Sequence, residues 1–158
     1  MVSVETKTVS IRASKKRLLH IFDAVAISMS ERMAPLCHVE TFKNVGINVG
    51  IEGWFKVEVI HALRNVDPVL NPQNKGPDLV LREGVEIELK GGNGFNIKWY
   101  VSGLKYGVPC LFLGWTGVPT LKTDELKKAQ MFETVGVKRL CGSGWHVGMI
   151  VPPDYFRA

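Results

Sequence analysis

The stretch Asp78-Leu-Val-Leu-Arg-Glu-Gly-Val-Glu-Ile-Glu-Leu-Lys90 constrains the fold more than any other part of the chain. Leu79 and Leu81 on one arm, and Val85, Ile87 and Leu89 on the other, alternate with Asp78, Val80, Glu86, Glu88 and Lys90. A period of two belongs to a strand with one apolar face, so the stretch predicts a hairpin laid on a core. The turn falls at Arg82-Glu83-Gly84. A two-residue loop of Glu83-Gly84 would pair Asp78 with Leu89 and mix a charge with an apolar side chain on one face. A three-residue loop with Gly84 left-handed pairs Leu81 with Val85, Leu79 with Ile87 and Asp78 with Glu88, and leaves each face uniform.

The rest of the chain supplies elements to pack against this hairpin. Leu18, Leu19, Ile21, Phe22, Val25, Ala26 and Met29 recur at helical spacing behind Ser14, a capping residue, and predict a largely buried helix from Ser14 to about Met29, ended before Pro35. Residues 37–53, with Gly46, Gly50 and Gly53, give no assignment. Trp54 to Arg64 fits two periods: Phe55, Val57 and Val59 alternate, while Trp54, Val57, Ala62 and Leu63 suit a mostly buried helix, which is the preferred reading. On a wheel of about 100° per residue, Glu58 then lies between Trp54 and Ala62, where a carboxylate must reach solvent or a nearby Lys, or be given a partner. Asp67-Pro68-Val69-Leu70-Asn71-Pro72 is interrupted by prolines, which leave room for a short edge strand or an irregular segment. After the hairpin come a Gly91-Gly92-Asn93-Gly94 loop, a helix over Phe95 to Tyr106 stopped by Gly107 and Pro109, and a core strand over Val108 to Leu113. An amphipathic helix from about Asp124 to Thr134, capped by Thr123, and an apolar strand from about His146 to Val151 complete the reading.

No internal repeat or Pro/Ser/Gly-rich linker divides the sequence, which therefore reads as one domain over residues 1–158. With 46% hydrophobic and 22% charged residues it is an ordinary globular composition, which excludes intrinsic disorder. The longest apolar stretches, such as Val108 to Leu113, fall far short of the roughly 18 residues that cross a bilayer, so no membrane association is expected. The N-terminus lacks the basic, apolar, small-residue order of a secretory signal. Cys37, Cys110 and Cys141 are odd in number and irregularly spaced, so reduced thiols and a cytoplasmic location are expected. The net charge of +5 is compatible with a polyanionic partner without establishing one.

In the hairpin register, Asp78 and Glu88 face one another with Cβ atoms roughly 4.5–5.5 Å apart, and Lys90 lies two residues along the same face. Like charges so placed repel, so either the pair is solvated at an edge or something positive sits between them: a divalent metal, or the Lys90 ammonium. Hard carboxylate oxygens suit Mg²⁺, with Mn²⁺ as a substitute, and such ions borrow further ligands from water and substrate phosphate. A metal there would activate water and offset phosphate charge, with Lys90 orienting the water or stabilising developing negative charge, which is the chemistry of phosphodiester hydrolysis.

Pro77-Asp78, then nine residues, then Glu88-Leu89-Lys90 resembles the PD-(D/E)XK motif of the restriction-endonuclease-like nucleases. The resemblance spans about residues 52–114. It implies an α/β fold with a restriction-endonuclease-like αβββαβ core, a central mixed sheet flanked by helices, with the motif on two adjacent strands. It further implies that Asp78 and Glu88 are metal ligands, Lys90 the catalytic lysine and Glu58 a helix-borne acidic residue of the site. The implied function is metal-dependent hydrolysis of DNA, for which a twofold dimer is the simplest way to cut both strands. The alternative is a non-catalytic nucleic-acid-binding or assembly module retaining the fold, since a fold hosts many functions. A third reading makes Asp78, Glu88 and Lys90 a surface ion network only.

Other patterns carry less. Cys37-His38 and the Cys141 to His146 stretch invite a zinc reading, but no Cys-x-x-Cys or His-x₃-His spacing accompanies them. No cysteine sits in an activating context. The Gly91–Gly94 loop lacks a Walker pattern, yet its amides, with Asn93 and Lys98, are suited to touch a nucleic-acid phosphate. Lys15, Lys16 and Arg17, and later Lys122, Lys127, Lys128, Lys138 and Arg139, form two basic regions that would track a phosphate backbone if they flank the carboxylates.

Overall fold

A computed structural model of the chain describes residues 11–31, 51–66, 69–72, 77–82, 84–92, 107–115, 133–140 and 145–157. Two helices, α1 (Lys15–Glu31) and α2 (Ile51–Leu63), and six strands, β1 (Val69–Pro72), β2 (Leu79–Leu81), β3 (Glu86–Gly92), β4 (Cys110–Trp115), β5 (Glu133–Arg139) and β6 (Trp145–Val151), make up the described elements. The strands form one mixed sheet in the order β1-β2-β3-β4-β6-β5. β3 and β4 are parallel and every other neighbouring pair is antiparallel. No helix of the described residues is long and apolar enough to cross a membrane.

Helix α1 forms where the apolar spacing requires it. Ser14 caps it, its Oγ accepting from the Arg17 N–H at 3.2 Å. Leu18, Ile21, Phe22, Val25, Ala26 and Met29 form the buried stripe. Helix α2 presents Phe55, Val59 and Leu63, one turn apart, to the same core. The helical reading of Trp54 to Arg64 therefore holds, with the start one turn earlier, at Ile51.

The hairpin adopts the register expected from its alternation. Leu79 pairs with Ile87, the Leu81 N–H donates to the Val85 carbonyl at 2.8 Å, and Gly84 sits at φ +83°. Leu79, Leu81, Val85, Ile87 and Leu89 lie on the helix-covered face with Leu111, Leu113, Trp145, Val147, Met149 and Val151. The other face carries Glu88, Cys110 and Ile150 in one row and Lys90, Phe112 and Gly148 in the next. These central positions of β4 and β6 are buried as well, so both faces are covered. A Cβ at Gly148 would overlap the Phe112 ring from the neighbouring strand, so the ring occupies the space a side chain would need.

Two differences from the sequence reading have physical causes. Glu133 and Thr134, expected at the end of a helix, begin strand β5, for which no strand was expected. Its alternation is hidden because it is an edge strand with mostly exposed residues and a register shift between Thr134 and Gly136. The proline-interrupted segment contributes β1 at the opposite edge, where Pro72, which has no N–H to donate, ends the strand opposite Leu79. The expected helix over Phe95 to Tyr106, and the one from Asp124 as far as residue 132, lie outside the described residues.

Candidate active site

Three side chains of the hairpin and one of α2 meet where β2 and β3 begin to run side by side. Asp78 precedes β2, while Glu88 and Lys90 lie on the face of β3 turned away from the core that α1 and α2 cover. Asp78 is tied to both neighbours: its Oδ2 accepts from the Leu89 N–H at 2.8 Å, and its Oδ1 takes the Lys56 ammonium at 2.7 Å. Lys90 Nζ lies 3.9 Å from Glu88 Oε1, a looser ion pair. The acidic side chains are mostly withdrawn from solvent, at 13% exposure for Asp78 and 6% for Glu88, whereas the Lys56 and Lys90 side chains keep 38% and 27%. Glu88 Oε2 is buried, and among the described residues no N–H group donates to it.

This environment splits the two acids. Burial, and then the hydrogen bond and charge of Asp78, push Glu88 up to about 8 against the pull of Lys90 and Lys56. Burial pushes Asp78 up too, but the hydrogen bond from Glu88, the Lys56 ammonium and the Leu89 N–H outweigh it and hold Asp78 below its usual value. Burial alone would lower Lys56, yet its bond to Asp78 and the charges of Asp78, Glu52 and Glu88 raise it. In the metal-free protein, then, Asp78 is the ionised partner and Glu88 carries the proton at neutral pH.

The structure brings Asp78, Glu88 and Lys90 together and adds Lys56, which sequence reasoning missed. The available signal was that Lys56 is the sole Lys or Arg within α2, an otherwise largely apolar helix. Glu58 is buried but is not brought into this group: no set of three His, Cys, Asp or Glu among the described residues is placed to hold a metal. The reason is helical geometry, because Glu58 lies about 200° around the helix from Lys56, which points at Asp78. The acidic residue on the Lys56 flank is Glu52, one turn back and within electrostatic reach of that ammonium. Asn93 and Lys98 lie outside the described residues, as do Cys37, His38 and Cys141. Burial drives the Cys110 thiol well above its usual value, so it is an inert core group beside Glu88.

The donor set fits a hard divalent cation in two respects. Two carboxylates of the hairpin converge, and one of them keeps a buried oxygen to which no N–H group of the described residues donates. With two such ligands, the remaining positions would fall to water and substrate oxygens. Comparison with protein-family models, curated proteins and solved structures yields no match to this chain.

Proposed function

We propose that the chain is a metal-dependent nuclease of the PD-(D/E)XK type that hydrolyses phosphodiester bonds in DNA. The observation that carries this reading is the buried Asp78–Glu88 pair on adjacent strands with the Lys90 ammonium beside it. Further support comes from the order α2, β1, β2, β3, β4 in a mixed sheet, which agrees with the αβββαβ core the resemblance implies as far as the described residues go, the helix expected between β3 and β4 lying outside them.

Asp78 and Glu88 would hold Mg²⁺ or Mn²⁺, which when bound lowers the pKa of a coordinated water and offsets charge on the scissile phosphate. The chain's own groups do the rest. The Leu89 N–H fixes the Asp78 carboxylate against the β3 backbone, so that its orientation is set before any ligand arrives. Glu88 gives up its proton when its carboxylate turns ligand. Lys90, on the same strand face and partly exposed, donates to the attacking water or to a non-bridging phosphate oxygen as negative charge builds. Water attacks phosphorus and loses a proton to solvent, the bond to the leaving sugar oxygen breaks, and that oxygen takes up a proton from solvent.

A second reading, a non-catalytic nucleic-acid-binding or assembly module with the same sheet, draws on one observation: Lys56 already neutralises Asp78. One experiment separates the two. Labelled duplex, branched, nicked and single-stranded DNA are incubated with the protein in Mg²⁺, Mn²⁺ or EDTA, beside Asp78→Ala and Lys90→Ala. The nuclease reading expects cutting that needs metal and that drops at least about a hundredfold in both variants. Salt-sensitive DNA binding without cutting on any substrate leaves the binding module.

A further inference from the structure

We infer that Lys56 is the resident counter-ion of this site, seated on the Asp78 oxygen that a divalent cation would take, and that it sets how tightly the metal-free protein takes up that cation. The inference rests on the reading of Asp78 and Glu88 as metal ligands.

The two Asp78 oxygens are held in different ways. Oδ2 is engaged by the Leu89 N–H at 2.8 Å, which anchors the carboxylate to a strand backbone that cannot turn away. Oδ1 is the oxygen on which Lys56 Nζ sits at 2.7 Å, in direct contact. Lys90 is different in kind: at 3.9 Å from Glu88 Oε1 it balances charge without blocking an oxygen.

Charge arithmetic points the same way. With both acids ionised, as metal ligation requires, Asp78 and Glu88 contribute −2, and Lys56 and Lys90 contribute +2, so the four side chains sum to zero before the cation's own charge is added. Adding a divalent cation with both ammoniums in place would leave a net +2 among carboxylates that are 13% and 6% exposed, where screening is weak. One ammonium therefore has to withdraw, and Lys56 is the one in the way. It also has room to move, since its side chain, a flexible four-carbon stem, is 38% exposed. Glu52, one turn earlier on the same flank of α2, gives the freed ammonium an alternative acidic partner.

The test is a calorimetric Mn²⁺ titration of the full chain after EDTA stripping and dialysis. Lys56→Met keeps the length of the side chain and removes the charge, and is expected to bind Mn²⁺ at least about tenfold more tightly than the unaltered protein, by relief of cation–cation repulsion. Lys56→Arg keeps the charge and is expected to stay within about threefold of the unaltered affinity. Lys56→Gln provides the same neutral test should Lys56→Met fail to give the parent's circular dichroism spectrum. Unchanged or weaker affinity in a folded neutral variant, or no Mn²⁺ binding by it, overturns the inference. The outcome is separable from the nuclease reading. A chain with the expected affinity shift that cuts no DNA retains the Lys56 role and loses the catalytic one; a metal-dependent nuclease whose Mn²⁺ affinity ignores Lys56 does the reverse.

Discussion

Burial and the neighbouring Asp78 push Glu88 up to about 8, so near neutral pH the metal-free pair carries a single proton between its two carboxyl groups. Because the folded value lies above the ordinary 4.5, the stability Glu88 contributes is fully present below about pH 4.5 and is lost as the pH rises through about 8. Asp78 works in the opposite sense. Held below 3.8, it contributes stability that is present above that value and is lost only in stronger acid, outside the window of Glu88. The expected outcome is a melting temperature, measured in EDTA, that falls from about pH 5 to about pH 8.5 in the unaltered chain more steeply than in Glu88→Gln. Parallel pH profiles for the two proteins would show that the pair does not share a proton.

The β2–β3 hairpin delivers these groups, and its turn is the place where a small change should loosen the site. Gly84 sits at φ +83°, and a Cβ there would also come within 3.1 Å of Ile11 Cδ1. Gly84→Ala is expected to cost about 1–2 kcal/mol, read as a lower urea midpoint with an unchanged slope, because an L side chain is strained in the left-handed region. A neutral result would mean the turn relaxes without cost. The opposite edge of the sheet shows what a hairpin with one buried face has and β5 lacks. In β2 and β3, Leu79, Leu81, Ile87 and Leu89 face the core while Val80, Glu86, Glu88 and Lys90 face away, so the pattern is readable; in β5 the bulge at Thr134–Gly136 and edge exposure erase it.

α1, α2 and the sheet share one apolar core, with Leu18, Phe55, Leu89, Leu111 and Met149 all fully buried in it. A shared core predicts that the described elements unfold together. Leu18→Ala, at a site with no exposure, is expected to lose about 2–5 kcal/mol. Its urea transitions followed by far-ultraviolet circular dichroism and by tryptophan fluorescence should stay coincident, with both midpoints displaced. Divergent midpoints would mean that α1 detaches while the sheet persists. Because α2 is bound into that same core through Phe55, Val59 and Leu63, the position of Lys56 over Asp78 depends on the packing of the whole molecule.

How much of this was legible in the chain follows from the range of the forces involved. The α1 stripe, the capping Ser14, the hairpin register, the left-handed Gly84 and the facing of Asp78 with Glu88 are decided by residues within a few positions of one another. Their periods of 3.6 and 2 are therefore written in the order of the side chains. The motif resemblance drew on the same local record, since Asp78, Glu88 and Lys90 belong to one hairpin. Lys56 does not: it lies twenty-two residues before its partner, and no periodicity records which helix flank will settle over which strand end. The same applies to Glu58: its apolar sector was readable in the chain, but that its carboxylate is buried rather than extended to solvent was decided by how α2 packs. The parallel pairing of β3 with β4 and the placing of β6 between β4 and β5 are likewise choices of non-local packing. There burial and backbone hydrogen bonding are optimised over the molecule rather than along the chain.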